Sequence, residues 1–124
     1  MTANSFLSVS LHPPLVAFSV RKQGSMMQHL KVGKPVGISI LSEEQELVSN
    51  QFAGQNETPI EIHFEKHQSG VSTIQNSLAW YNTKIQNIIP AGDHFLILCE
   101  VLDLHRYENK NPLLYYSGYK SIAS

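Results

Sequence analysis

Over most of the chain, apolar and polar positions alternate in short runs closer to a period of two than to the helical 3.6, the pattern of half-buried β-strands. Leu15-Val16-Ala17-Phe18-Ser19-Val20 and Val36-Gly37-Ile38-Ser39-Ile40-Leu41 are apolar, rich in β-branched residues and bounded by Pro or Gly, which predicts two strands. Ile60-Glu61-Ile62-His63-Phe64-Glu65 alternates strictly and predicts a half-buried strand with its charges facing outward. Leu78 to Ile89 and Phe95 to Leu104 flank the turn residues Pro90-Ala91-Gly92-Asp93, the arrangement of an antiparallel hairpin. Leu113 to Tyr119 predicts a last, aromatic strand.

One segment carries a helical signal instead. Ser42-Glu43-Glu44-Gln45 matches a capping box, in which the Ser42 hydroxyl accepts from the Gln45 amide and the Gln45 side chain reaches back. Two acids in that first turn suit the helix dipole. Leu47, Val48 and Phe52 make a one-sided stripe and Gly54 supplies a stop, so a capped helix is expected from about Ser42. A second, shorter helical turn fits Ser25 to Leu30, while 54–59 and 67–73 read as loops. No repeat or linker interrupts the pattern, and one domain over 1–124 is expected.

Composition narrows the functional classes. With 42% apolar and 15% charged residues, the 124-residue chain has the makings of a hydrophobic core rather than of a disordered tail. The formal net charge is −1, from nine basic and ten acidic residues, which argues against an electrostatically held nucleic-acid or anionic-membrane partner. No apolar run approaches the roughly 20 residues that span a bilayer. The single cysteine, Cys99, sits in an apolar run and is expected to pack as a small hydrophobe in a reducing cytoplasm.

Familiar catalytic signatures do not occur. No glycine-rich phosphate loop follows a strand and opens a helix, and no nucleophile elbow is present. His63 and His67 are four apart, but one lies in an alternating strand and the other in a polar loop, so the helical spacing of metal ligands does not apply and no metal is expected. What stands out is the stretch from Met1 to Leu15. It is dense in small hydroxyl and amide side chains, halts at Pro13-Pro14, and restarts as an apolar strand.

That stretch closely resembles the signature of the flavin reductase-like, FMN-binding split-barrel family. Thr2-Ala3-Asn4-Ser5-Phe6 and Ser8-Val9-Ser10 are similar to the family's flavin-contacting turn and strand, and Pro13-Pro14-Leu15 to its step into the next strand. The resemblance continues through Ile38 to Gln45, Phe52-Ala53-Gly54, Ser77-Leu78-Ala79-Trp80 and Gly92-Asp93-His94. It ends with Cys99-Glu100-Val101, where relatives usually read Gly-Glu-Val, and with Pro112 to Tyr119. Relatives carry several tens of residues ahead of the Thr2 string, so the resemblance implies either a split barrel lacking its first strands or a true start upstream of Met1. Where relatives often carry Ser-x-Thr, this chain has Ser25-Met26-Met27, one hydroxyl fewer.

The resemblance implies a mainly β fold, an antiparallel split barrel of six or so strands with one or two short helices. It implies an NAD(P)H-dependent flavin reductase of the kind that supplies a two-component monooxygenase, with FMN or FAD as flavin and NADH or NADPH as hydride source. Backbone amides of Ala3 and Asn4 would meet the ring, and Thr2, Ser5 and Val9 are implied among the cofactor-binding residues. Ser8, Ser10 and Ser25 would meet the ribityl chain or phosphate, and His94 would face flavin and nicotinamide. A homodimer is implied as well, because relatives build the pocket near a subunit interface. Two rival readings use the same residues: an FMN-binding electron carrier that does not oxidise NAD(P)H, and a shortened dimeric domain that has lost flavin.

Overall fold

The structure, a computed structural model, describes residues 5–54, 58–68, 70–108, 113–115 and 119–121, the last two segments by their backbone. In chain order the strands are β1 (Phe6–Ser10), β2 (Leu15–Arg21), β3 (Pro35–Ile40), β4 (Phe64–Lys66), β5 (Ser72–Ile74), β6 (Ala79–Ala91), β7 (His94–Arg106), β8 (Leu113–Tyr115) and β9 (Tyr119–Ser121). A 3₁₀ helix, Ser25–His29, follows β2, and one α-helix, α1 (Glu46–Phe52), follows β3. Five strands form one sheet in the order β1-β2-β7-β6-β3, while β4-β5 and β8-β9 are separate two-stranded ribbons. Among the described residues the main sheet has five strands, and the fold is mainly β and antiparallel, as expected.

The chain divides into two compact units, one of residues up to 36 with 82–103, the other of 37–81 with residues from 104 onward. The first unit is organised around β2. Val16, Ala17, Phe18 and Val20 are all buried, so this strand is covered on both faces and reads as a continuous apolar run. Ile85, Ile97 and Cys99 complete that core, each at most 1% exposed. Burial of such side chains stabilises by about 1.5–3 kcal/mol apiece. β2 pairs with β7 in unbroken antiparallel register from Leu15 opposite Glu100 to Arg21 opposite His94. The β6–β7 hairpin closes through two residues only, Gly92 and Asp93, with Gly92 at φ +64°. A positive φ at the first loop position and not at the second is the pattern of a type II′ turn, whose twist matches the flanking strands.

In the second unit, part of the expected capping box is missing. Gln45 does reach back, its Oε1 accepting from the Ser42 amide at 2.9 Å, but the Ser42 hydroxyl donates to the Asn76 carbonyl at 3.1 Å. The Gln45 amide bonds the Ser42 carbonyl as a turn, and the first helical bond runs from the Ser49 amide to the Gln45 carbonyl. α1 therefore begins at Glu46, four residues later than expected, because a buried Ser42 has a partner across the unit.

Two strand expectations also change. Of the alternating segment 60–65, only its last residues enter β4, since β5 is three residues long and pairs Phe64–Lys66 alone. The Ile60 amide is taken instead by the Gln51 side chain at 3.2 Å. The last strand, expected over Leu113–Tyr119, is two: β8 and β9 pair antiparallel, Tyr115 opposite Tyr119. No helix among the described residues is long and apolar enough to cross a membrane.

Candidate functional site

The site is built on β1, β2 and β7 of the first unit. Directly opposed residues of an antiparallel pair share a face of the sheet, so the registers decide which side chains meet. Arg21 and His94 stand opposite each other, next along the face come Ser19 and Leu96, then Ala17 and Leu98. β1 adds Leu7, opposite Ala17, to that face. The Ser5 hydroxyl accepts from the Ser19 amide at 3.1 Å and pairs with the Ser19 hydroxyl, pinning the start of β1 onto β2. Val16, Phe18, Ile97 and Cys99 occupy the opposite, core face.

His94 is held by its neighbour. Its Nδ1 lies 2.7 Å from Asp93 Oδ1. A carboxylate can only accept, so Nδ1 carries the proton and a neutral His94 presents a bare Nε2. The hydrogen bond and charge of His94 hold the Asp93 carboxyl below its usual range, with Arg21 contributing least. Lys22 points the other way: its Nζ lies 5.2 Å from the centre of the Phe95 ring, and its amide bonds the Asp93 carbonyl. The hairpin end thus presents one imidazole and one guanidinium on the same face.

The expected site residues are only partly brought together. Thr2, Ala3 and Asn4 lie outside the described residues. A β-bulge separates Ser8, opposite Val16, from Ser10, opposite Leu15. Adjacent residues of β2 face opposite ways, so Ser8 falls on the core face and Ser10 on the His94 face, with Val9 the extra residue between them. Ser10 is six residues along β2 from the Arg21–His94 pair, about 20 Å at strand spacing. Ser5 stands on the His94 face, but its hydroxyl is committed to Ser19. Ser25 is exposed at the start of the 3₁₀ helix, four residues beyond Arg21. Sequence reasoning missed Arg21: only the β2–β7 register sets it beside His94, and no local motif encodes that register.

The surface suits a flat ring bearing polar edges. β1 is an edge of the five-stranded sheet, so one row of its backbone N–H and C=O groups points away from β2. Leu7 and Val9 are 50% and 47% exposed there, and hydroxyls interleave with them. Elsewhere the histidines have other work. His67 Nε2 is 2.7 Å from Thr73 Oγ1, and its ring tilts over Trp80, 4.1 Å between centroids, with His105 stacked at 6.1 Å.

Residues 1–123 match the family described as "Flavin reductase like domain". An NADH-dependent flavin reductase of Rhodococcus sp. is 38% identical over 118 residues, 95% of this chain and 66% of that protein. The reductase component of 4-hydroxyphenylacetate 3-monooxygenase from Thermus thermophilus is 31% identical over 124 residues, 99% of this chain and 78% of its own. Among solved structures, flavin reductase PheA2 in its native state superposes with a TM-score of 0.90 at 38% identity, covering 98% of this chain and 79% of that one. The chain spans 64–66% of the length of the first curated relatives it matches.

Proposed function

The chain belongs to the flavin reductase-like domain family, and from that premise we propose that it is an NAD(P)H-dependent flavin reductase supplying reduced flavin to a partner monooxygenase. The match of residues 1–123 to the family carries the reading. NADH is the donor and FMN or FAD the flavin, as in the names of its relatives. The monooxygenase partner follows the Thermus reductase component. A homodimer in the cytoplasm is part of the same proposal, supported by the apolar side chains exposed along β1 and by a cysteine that is free and buried.

When bound, the flavin supplies the ring that takes a hydride at N5 from nicotinamide C4, so the protein's contribution is binding and orientation. The backbone amides of Ala3 and Asn4 meet the ring and Ser25 the ribityl chain or phosphate, while Ser8 and Ser10, turned to opposite faces of the sheet, do not both reach that chain. Ser5 holds β1 in place through Ser19. His94, steadied by Asp93, offers Nε2 as an acceptor to a donor on either ring. The purified protein is expected to oxidise NADH faster when FMN is added. A His94→Ala variant is expected to lower the turnover by about 10²–10⁴-fold if His94 moves a proton, and by far less if it only orients. No flavin-stimulated oxidation of NADH or NADPH, with flavin still bound, would move the reading to an electron carrier.

A further inference from the structure

Arg21 has no assigned task, and the structure puts it where a cation matters. It ends β2 directly opposite His94, on the face of Ser19 and Leu96. Its side chain is exposed, and among the described residues it makes no ion pair or side-chain hydrogen bond. The carboxylate of Asp93, whose charge Arg21 feels, is occupied by the His94 imidazole. Lys22, the adjacent cation, is turned to the opposite face over Phe95. The carbonyl of Arg21 is fixed by the Gly24 amide at 3.0 Å, so the backbone from which the guanidinium extends is held in a turn.

A planar guanidinium with five donors suits a phosphate better than a neutral ring, and it binds two oxygens at once. Both molecules that would meet at His94 carry phosphates. We propose that Arg21 is a phosphate-binding residue of this site, holding a phosphate oxygen of the flavin nucleotide or of the nicotinamide dinucleotide beside His94. The proposal rests on the flavin reductase reading and deepens it.

The test is a pair of binding ratios in the full chain. Flavin fluorescence gives the affinity for FMN against riboflavin, which lacks the phosphate. Nicotinamide fluorescence gives the affinity for NADH against reduced nicotinamide riboside, which lacks both phosphates. Arg21→Gln is expected to lower one of the two ratios about tenfold, the scale of a lost charge-assisted bidentate contact. A fall in the first assigns Arg21 to the flavin phosphate, and a fall in the second to the dinucleotide. Lys22→Gln removes the same charge from the opposite face and is expected to leave both ratios within about twofold. Arg21→Lys is expected to recover part of the loss, since it keeps the charge without the fork. Unchanged ratios in Arg21→Gln, or an equal fall in Lys22→Gln, would sink the assignment while leaving flavin reduction standing. A wild-type protein that binds no flavin and no nicotinamide would sink both.

Discussion

Side chains in this protein do work that their sequence neighbourhood does not announce, and Gln45 is the clearest case. It accepts from the Ser42 amide at 2.9 Å and donates to the Gln75 carbonyl at 2.8 Å while only 6% exposed. Ser42 makes one side-chain bond, to Asn76. Gln45→Ala therefore leaves a buried amide without its acceptor and is expected to cost about 2 kcal/mol, against about 1 kcal/mol for Ser42→Ala. Urea denaturation of both variants checks the order, and a larger loss in Ser42→Ala would restore the simple cap. Cys99 gives a second prediction. Burial pushes its thiol up, with the Thr83 hydrogen bond working in the opposite direction. The folded state prefers the neutral thiol, so this stability is whole below the ordinary thiol pKa of about 8.5 and is lost as pH rises through the raised value. Native Cys99 is expected to react with a thiol reagent only as fast as the protein opens, and Cys99→Ala to flatten the alkaline limb of the stability curve.

At the level of elements, the sequence pattern was legible wherever a strand carries its own apolar run. β2 and β3 lie within a residue of their predicted ends, and the β6–β7 hairpin was announced by Gly92-Asp93. What the pattern hid was set by partners. The segment 60–65 alternates well, yet a three-residue β5 leaves most of it unpaired in any ladder. Residues Thr2 to Ser10 were marked as a site by resemblance, but the bulge that turns Ser8 and Ser10 to opposite faces exists only in the pairing with β2. Two glycines show the same division. Gly92 is readable as a turn residue; its φ is +64° and a Cβ there would meet nothing within 4 Å, so Gly92→Ala costs backbone strain alone, about 1–2 kcal/mol. Gly37 has no such signal, because a Cβ there would lie 2.5 Å from both the Ser72 carbonyl oxygen and Val71 Cγ1. Gly37→Ala must push backbone aside and is expected to cost about 1–3 kcal/mol. Adding Val71→Ala is expected to relieve it only in part, since the Ser72 carbonyl stays; full recovery in denaturation would show that the side chain alone was in the way.

For the whole molecule the decisive feature is the edge formed by β1. Leu7, Val9 and Leu11 are 50%, 47% and 75% exposed along and just beyond a strand that, among the described residues, has a neighbouring strand on one side only. An apolar edge of this kind invites pairing with another chain, and a second copy meets it with the same surface. Burying the exposed part of each side chain would contribute about 1 kcal/mol, with a smaller gain from each backbone hydrogen bond formed along the edge. A dimer at micromolar concentration is the expected state, read by sedimentation or light scattering. Leu7→Lys and Val9→Lys both place a charge where apolar surface is buried, and each is expected to weaken association more than tenfold, about 1.4 kcal/mol or greater. Leu47→Lys, equally exposed at 57% but on α1, is expected to leave the association unchanged. A wild-type monomer at these concentrations, or equal weakening by all three changes, would rule out β1 as the interface. The dimer also bears on function, because the same strand supplies Leu7 and Ser10 to the face that carries His94. If β1 is ordered by its partner copy, the lysine variants are expected to lose FMN affinity in step with association, and to regain it at protein concentrations high enough to restore the dimer.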